Sequence, residues 1–245
     1  MTLENLERAL NASRADYCEI RLETRLTTRI VYHGRLLETV STVLNEGGIV
    51  RALARDGGWG MSTFNSLDDL PNRVEQAWHS ARLVPRREIV LAERPAVQDT
   101  IRVQRAPGAE SVTLEEQHAL VNRYNAILLG HPRIVDTQAA YVDQMITVTY
   151  ANSEGTRIVE ERPMADVSLV ATARDGTNVQ RSGDGTSSAA GYPALLELDD
   201  LANRVAQRAT DLLSAETVVG GVYPVICDPR LAGVFVHEAF GHLSE

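Results

Sequence analysis

Two stretches of period-two alternation, each bracketed by segments of helical period, constrain this chain more than any other feature. In the first, Tyr17–Glu23 sets Cys18, Ile20 and Leu22 against polar neighbours. Thr27–Tyr32, Arg35–Leu44 and Gly48–Ala54 follow, rich in β-branched residues, with turn signals at His33-Gly34 and Asn45-Glu46-Gly47-Gly48. Side chains that alternate in and out of a core specify strands with one buried face. A helical stripe precedes this run (Leu3, Leu6, Leu10) and another follows it (Leu70, Val74, Ala77, Ala81, within 67–83).

The same order then recurs. Thr113-Leu114-Glu115-Glu116 is a capping box that opens a helix carrying Leu114, His118, Val121 and Ile127 or Leu128, stopped by Gly130 and Pro132. Ile134–Tyr141, Met145–Ala151, Thr156–Arg162 and Ala165–Ala173 read as four more strands, and 195–213 as a long helix. The fourth strand ends Ala54-Arg55-Asp56-Gly57 in the first set and Ala173-Arg174-Asp175-Gly176 in the second. Either the architecture is duplicated or two unrelated meanders share a turn. The expected class is α+β: two helix–four-strand-meander–helix units, 1–84 and 110–214, within a domain spanning 1–220. The polar, proline-bearing 85–107 is a connector with room for one strand. Ser182–Gly191 reads as a Gly/Ser-rich loop able to border a peptide cleft. Gly57-Gly58-Trp59-Gly60 reads as a hairpin turn, since no Gly-Lys-Ser/Thr follows either glycine cluster to make a phosphate loop. Exposed edges of the meanders offer strand addition to an extended peptide.

Composition excludes several functions. A net charge of -9 does not suit nucleic acid, which is held by Lys and Arg. It does not suit an anionic membrane surface either, and no apolar run reaches the length of a membrane span. Cys18 and Cys227 are too few for a disulfide framework, which fits a reducing compartment. The start, Met1-Thr2-Leu3-Glu4, has no apolar segment of the kind a signal peptide needs.

Residues 221–245 carry the chemistry. Val222–Cys227 reads as a short strand, and Asp228-Pro229 as an Asp cap with proline in the first helical turn. The helix that follows contains His237-Glu238-Ala239-Phe240-Gly241-His242, an H-E-x-x-x-H pattern. Two imidazoles are zinc ligands and the carboxylate beside the first has a use of its own, with His237 and His242 as ligands and Glu238 as the base that takes a proton from the attacking water. The spacing is i, i+5. On a regular helix five residues turn about 500°, which leaves the second His roughly 140° off the first. One ion is shared only if the helix widens by a π-bulge or unwinds, and Gly241 suits either distortion. The competing reading is an apolar buried helix with two incidental histidines. His33, His79, His118 and His131 are isolated in sequence and read as structural. Cys227, ten residues before His237, is on the order of 15 Å away along a helix and makes a poor third ligand.

The run Gly221–Pro229 followed by His237–His242, together with Asn152-Ser153-Glu154-Gly155-Thr156 and the turn at 173–176, resembles the TldD/PmbA family of metallopeptidases. The H-E-x-x-x-H motif is the mark of the TldD side, which the PmbA (TldE) side lacks. The resemblance implies a zinc-dependent peptidase acting on peptides or unfolded chains, cytoplasmic, and dimeric with itself or with a PmbA/TldE-like partner. Members are linked to maturation of peptide antibiotics and breakdown of antitoxins. It also implies a β-rich C-terminal domain, absent from this sequence, that supplies a cysteine as third zinc ligand. The chain then stands as an N-terminal fragment, inactive alone. The alternative is a non-catalytic peptide-binding or assembly scaffold.

Overall fold

The computed structural model describes residues 2–55, 57–84 and 89–244. Asp56 of the first turn motif, Pro85 at the start of the connector, and the terminal Met1 and Glu245 lie outside the described residues. The chain divides into two compact units, the first ending at Leu213 and the second starting at Ser214.

The first unit is α+β. Its elements are α1 (Thr2–Asn11), β1 (Tyr17–His33), β2 (Leu36–Leu53), β3 (Trp59–Phe64), α2 (Leu70–Leu83), β4 (Gln98–Arg102), α3 (Leu114–Leu129), β5 (Ile134–Asn152), β6 (Arg157–Asp175), β7 (Asn178–Ser188) and α4 (Asp199–Asp211). All seven strands form one sheet in the order β3-β2-β1-β5-β6, with β7 and β4 both beyond β6. Every pairing is antiparallel except β4 on β6.

The strands are fewer and longer than the turn signals predict. The two segments at each end of Tyr17–His33 are one strand, and Asn45, Glu46 and Gly47 continue the ladder opposite Arg25, Thr24 and Glu23. Asp143 and Gln144 likewise pair with Thr28 and Thr27. The four-strand meanders are therefore three-stranded, each a long hairpin plus one shorter strand. The third strands are Trp59–Phe64, whose first two residues fall in the turn read at 57–60, and Asn178–Ser188, which runs into the loop read at 182–191. Gly185 fits a strand because a Cβ there would lie 2.7 Å from the Val167 carbonyl oxygen. Gly60 fits because α2 crosses it so closely that a Cβ would lie 2.0 Å from the Ala77 carbonyl oxygen. The long helix expected at 195–213 is shorter, a 3-10 turn at Tyr192–Leu195 and then α4.

The helices share one face of the sheet. Ile20 and Leu22 on β1 belong to a core with α1 and α2 (Leu6, Leu10, Leu70, Val74, Ala77). Ile30 and Tyr32, on the same face of the same strand, belong to a core with α3 and α4 (Val121, Tyr124, Leu128, Val205, Ala209). The opposite face carries the charges: Glu23 lies 3.0 Å from Arg21 and 2.7 Å from Arg25. The hydrogen bond from Arg25 and the nearby Arg21 hold the Glu23 carboxyl below its usual range.

Candidate metal centre

The second unit contains one helix. Asp228 caps it by accepting a hydrogen bond from the Leu231 N–H at 2.8 Å, and Pro229 occupies its first turn, so α5 runs Pro229–Val236. The strand expected at Val222–Cys227 does not form; residues 222–228 are irregular. Pro224 lacks the N–H a ladder needs.

At His237 the helix changes pitch. Residues His237–Gly241 form a π-turn, closed by the His242 N–H donating to the His237 carbonyl at 3.2 Å. An i→i+5 hydrogen bond is the π-helical signature. It returns the fifth residue to the face of the first, the condition set by the i, i+5 spacing. The rings of His237 and His242 lie 4.6 Å apart between centroids at an interplanar angle of 71°. A Glu238 carboxylate oxygen is 3.9 Å from His242 Nε2. One ligand atom from each of His237, Glu238 and His242 falls within 4.8 Å of the others. Among the described residues this is the one group of three or more such side chains. All three are exposed, as are Val234, Phe235, Val236 and Phe240 around them. Gly241 is not sterically required: a Cβ there would meet only His237 Nδ1, at 3.7 Å, an ordinary contact.

The two imidazoles are nitrogen donors of the kind zinc takes, and the π-turn sets both rings on one side of the helix beside the Glu238 carboxylate. The other histidines each have a partner in the first unit. His33 meets Asp136 at 3.0 Å, His79 meets Glu75 at 3.0 Å, His118 meets the Tyr32 hydroxyl at 2.6 Å and His131 meets Asn203 at 3.0 Å. Cys18 is buried, which pushes its thiol pKa up to about 11, and Cys227 is exposed. The Asn152–Thr156 motif is a turn. Asn152 Oδ1 accepts from the N–H groups of Glu154 and Thr156 at 3.1 and 2.9 Å, and Gly155 takes φ 95°. Arg157 ties this turn to α1 by donating to Glu7 at 2.7 Å and to the Asn152 carbonyl at 2.8 Å.

Residues 18–81 match a family model described as PmbA/TldA metallopeptidase domain 1, and residues 107–213 match the PmbA/TldA metallopeptidase central domain. A metalloprotease of Synechocystis sp. is 40% identical over 95% of this chain and 50% of its own length. A zinc metalloprotease TldD homolog of Saccharolobus solfataricus is 25% identical over 94% of this chain and 51% of its own. The chain spans about half the length of the curated relatives it matches. Among solved structures, a putative modulator of DNA gyrase from Bacteroides thetaiotaomicron superposes with a TM-score of 0.82 at 16% identity, covering 98% of this chain and 56% of that one. TldE from Thermococcus kodakarensis gives 0.62 at 16% identity, covering 86% and 47%. No described helix is long and apolar enough to cross a membrane.

Proposed function

The chain belongs to the PmbA/TldD family of metallopeptidases, and on that premise we propose that it carries the zinc-ligating helix of a peptidase that hydrolyses peptides or unfolded polypeptides. The observation that carries this reading is the π-turn, which brings His237 and His242 together beside Glu238. His237 and His242 hold the ion through ring nitrogens. Glu238 takes the proton of the attacking water and delivers it to the leaving amine. Zinc, when bound, lowers the pKa of water and polarises the scissile carbonyl. Catalytic zinc keeps three protein ligands; with Glu238 acting as base, the resemblance to the family implies a cysteine of a β-rich C-terminal domain as the third. The exposed apolar side chains of α5 supply the dry surroundings such a site needs once covered.

The same reading places the protein in the cytoplasm, consistent with two unpaired cysteines. It also puts it in a dimer, with itself or with a TldE-like partner, as the resemblance to the family implies. Zinc titration of the chain and hydrolysis by the full-length protein test the roles separately. His237→Ala and His242→Ala each weaken zinc binding by at least about tenfold, the loss of one ligand. Glu238→Gln leaves zinc affinity near wild type and abolishes hydrolysis. Hydrolysis that survives Glu238→Gln removes the base; zinc affinity unchanged in both His variants removes the site.

A further inference from the structure

The two halves of the sheet correspond strand for strand, β1 with β5, β2 with β6 and β3 with β7, yet one position is filled in the second half and vacant in the first. The later part of β6 is paired by β7 (Ala165–Asp175) and its earlier part by β4 (Arg157–Glu161). On β2, the later part (Gly48–Leu53) is paired by β3, while residues 36–47 have no strand on that side among the described residues. We propose that the free edge of β2, over residues 39–47, captures an extended, Lys- or Arg-bearing segment of a polypeptide substrate by strand addition. The proposal rests on the peptidase reading and adds to it a capture site outside the zinc centre.

Three observations carry it. The occupant of the equivalent edge is itself an extended segment, β4, joined to the sheet by backbone hydrogen bonds and exposed at every residue. Charge pairing reinforces that docking, since Arg102 lies opposite Glu161 with a contact of 3.2 Å. The vacant edge carries glutamates of its own: Glu46, whose carboxylate accepts from the Thr24 hydroxyl at 3.3 Å, and, at the irregularity beside Thr39, Glu38; both are exposed and attract a basic segment. Finally, the edge lacks the usual protection. Lys, Pro and inward charges keep edge strands from pairing, but residues 39–47 contain one charge, no Lys and no Pro. They expose Val40, Val43 and, at 65%, Leu44 instead. Alternation of side chains along an added strand would set apolar residues against these on both faces.

The probe is a fluorescein-labelled synthetic peptide of alternating Val and Thr with Lys at each end, read by anisotropy against the whole chain. A twin peptide N-methylated on alternate residues, made in both phases, cannot complete a ladder. The unmethylated peptide binds, the phase that blocks the pairing edge binds about tenfold more weakly or worse, and replacing Lys by Glu weakens it as well. Thr42→Pro and Val43→Pro test the protein side, because successive N–H groups of β2 point alternately toward β1 and toward the vacant position. The variant that keeps the wild-type circular dichroism melt loses capture by a similar factor. No binding, binding indifferent to N-methylation, or capture unchanged in the folded proline variant overturns the proposal. Sedimentation showing that this edge instead pairs two copies of the chain, with the proline variant monomeric, overturns it too. Zinc titration is run on the same samples: zinc affinity intact with capture absent rejects the edge and leaves the metal centre standing, and the reverse rejects the centre alone.

Discussion

Single residues decide both the site and the tightness of the first core, and two glycines separate the two demands. Gly60 sits where α2 crosses β3, with a Cβ placed there 2.0 Å from the Ala77 carbonyl oxygen and 2.4 Å from the Ala81 nitrogen. Both neighbours are helix backbone, so no side chain can swing aside. Gly60→Ala must push α2 off the sheet, and overpacking of this kind costs about 3 kcal/mol; urea unfolding followed by circular dichroism reads the loss as a lowered midpoint. Gly241 is the opposite case. The sequence assigns it the distortion of the motif helix, but the π-turn leaves room for a methyl group at 3.7 Å from His237 Nδ1, and its neighbour His242 keeps ordinary helical angles (φ -65°, ψ -21°). Gly241→Ala therefore retains zinc affinity within about threefold, under 1 kcal/mol, in the same titration that the His237 and His242 variants fail. A large loss would mean that the turn depends on glycine after all.

At the scale of elements, helices were readable and strand lengths were not, for a physical reason. Helix ends are set by local chemistry that the sequence displays. The capping box at α3 is complete, with the Glu116 N–H donating to Thr113 Oγ1 at 3.2 Å and the Thr113 N–H donating to the Glu116 carboxylate at 2.7 Å. Asp228 and Pro229 start α5 in the same legible way. Strand ends are set by partners. Asn45-Glu46-Gly47 has every mark of a turn, yet β1 offers a continuous ladder opposite it, and Gly48 leaves room for the Phe64 ring, which a Cβ would meet at 2.4 Å. Alternation also fades near Leu26, which lies between the two cores and is 45% exposed, so one strand reads as two. The H-E-x-x-x-H spacing, by contrast, called for a π-bulge or an unwound turn, and the helix takes the first of these. The α3 cap yields a pH prediction. The Thr113 N–H, and then its hydroxyl, hold the Glu116 carboxyl below its ordinary value. A depressed folded-state pKa adds stability above the ordinary carboxylate range and loses it as pH falls through the depressed value. Thr113→Ala costs about 1 kcal/mol at neutral pH. The Thr113 N–H survives the substitution and the hydroxyl does not, so only the hydroxyl's share of the carboxylate's stabilisation narrows below roughly pH 4, as thermal melts across that range would show; a difference that does not change with pH would mean that the hydroxyl does not hold the carboxylate.

For the first unit as a whole, the question is whether two cores on one sheet behave as two bodies or one. Each core has its own pair of helices and no buried residue in common with the other. That division alone suggests halves able to melt separately. The sheet argues otherwise. β1 pairs with β5 without interruption from Glu19 opposite Asn152 to His33 opposite Gln138, and β1 contributes Ile20 and Leu22 to one core and Ile30 and Tyr32 to the other. Melting one half would strip the central ladder of its partner and leave a row of unpaired backbone groups along β1 or β5, each costly unless it is hydrated or re-paired. Coupling through that ladder outweighs the separation of the cores, so the first unit unfolds in one transition. Its two tryptophans, Trp59 and Trp78, lie in the first half, on β3 and α2. Leu169 is fully buried in the core of the second half. Leu169→Ala removes about 2–5 kcal/mol by opening a cavity. In a cooperative unit the tryptophan fluorescence midpoint in urea falls by as much as the far-ultraviolet circular dichroism midpoint, although the substitution lies across the sheet from both indoles. If the fluorescence transition stays at its wild-type midpoint while the circular dichroism becomes biphasic, the halves are independent domains joined edge to edge, and the ladder between β1 and β5 is an interface rather than the spine of one fold.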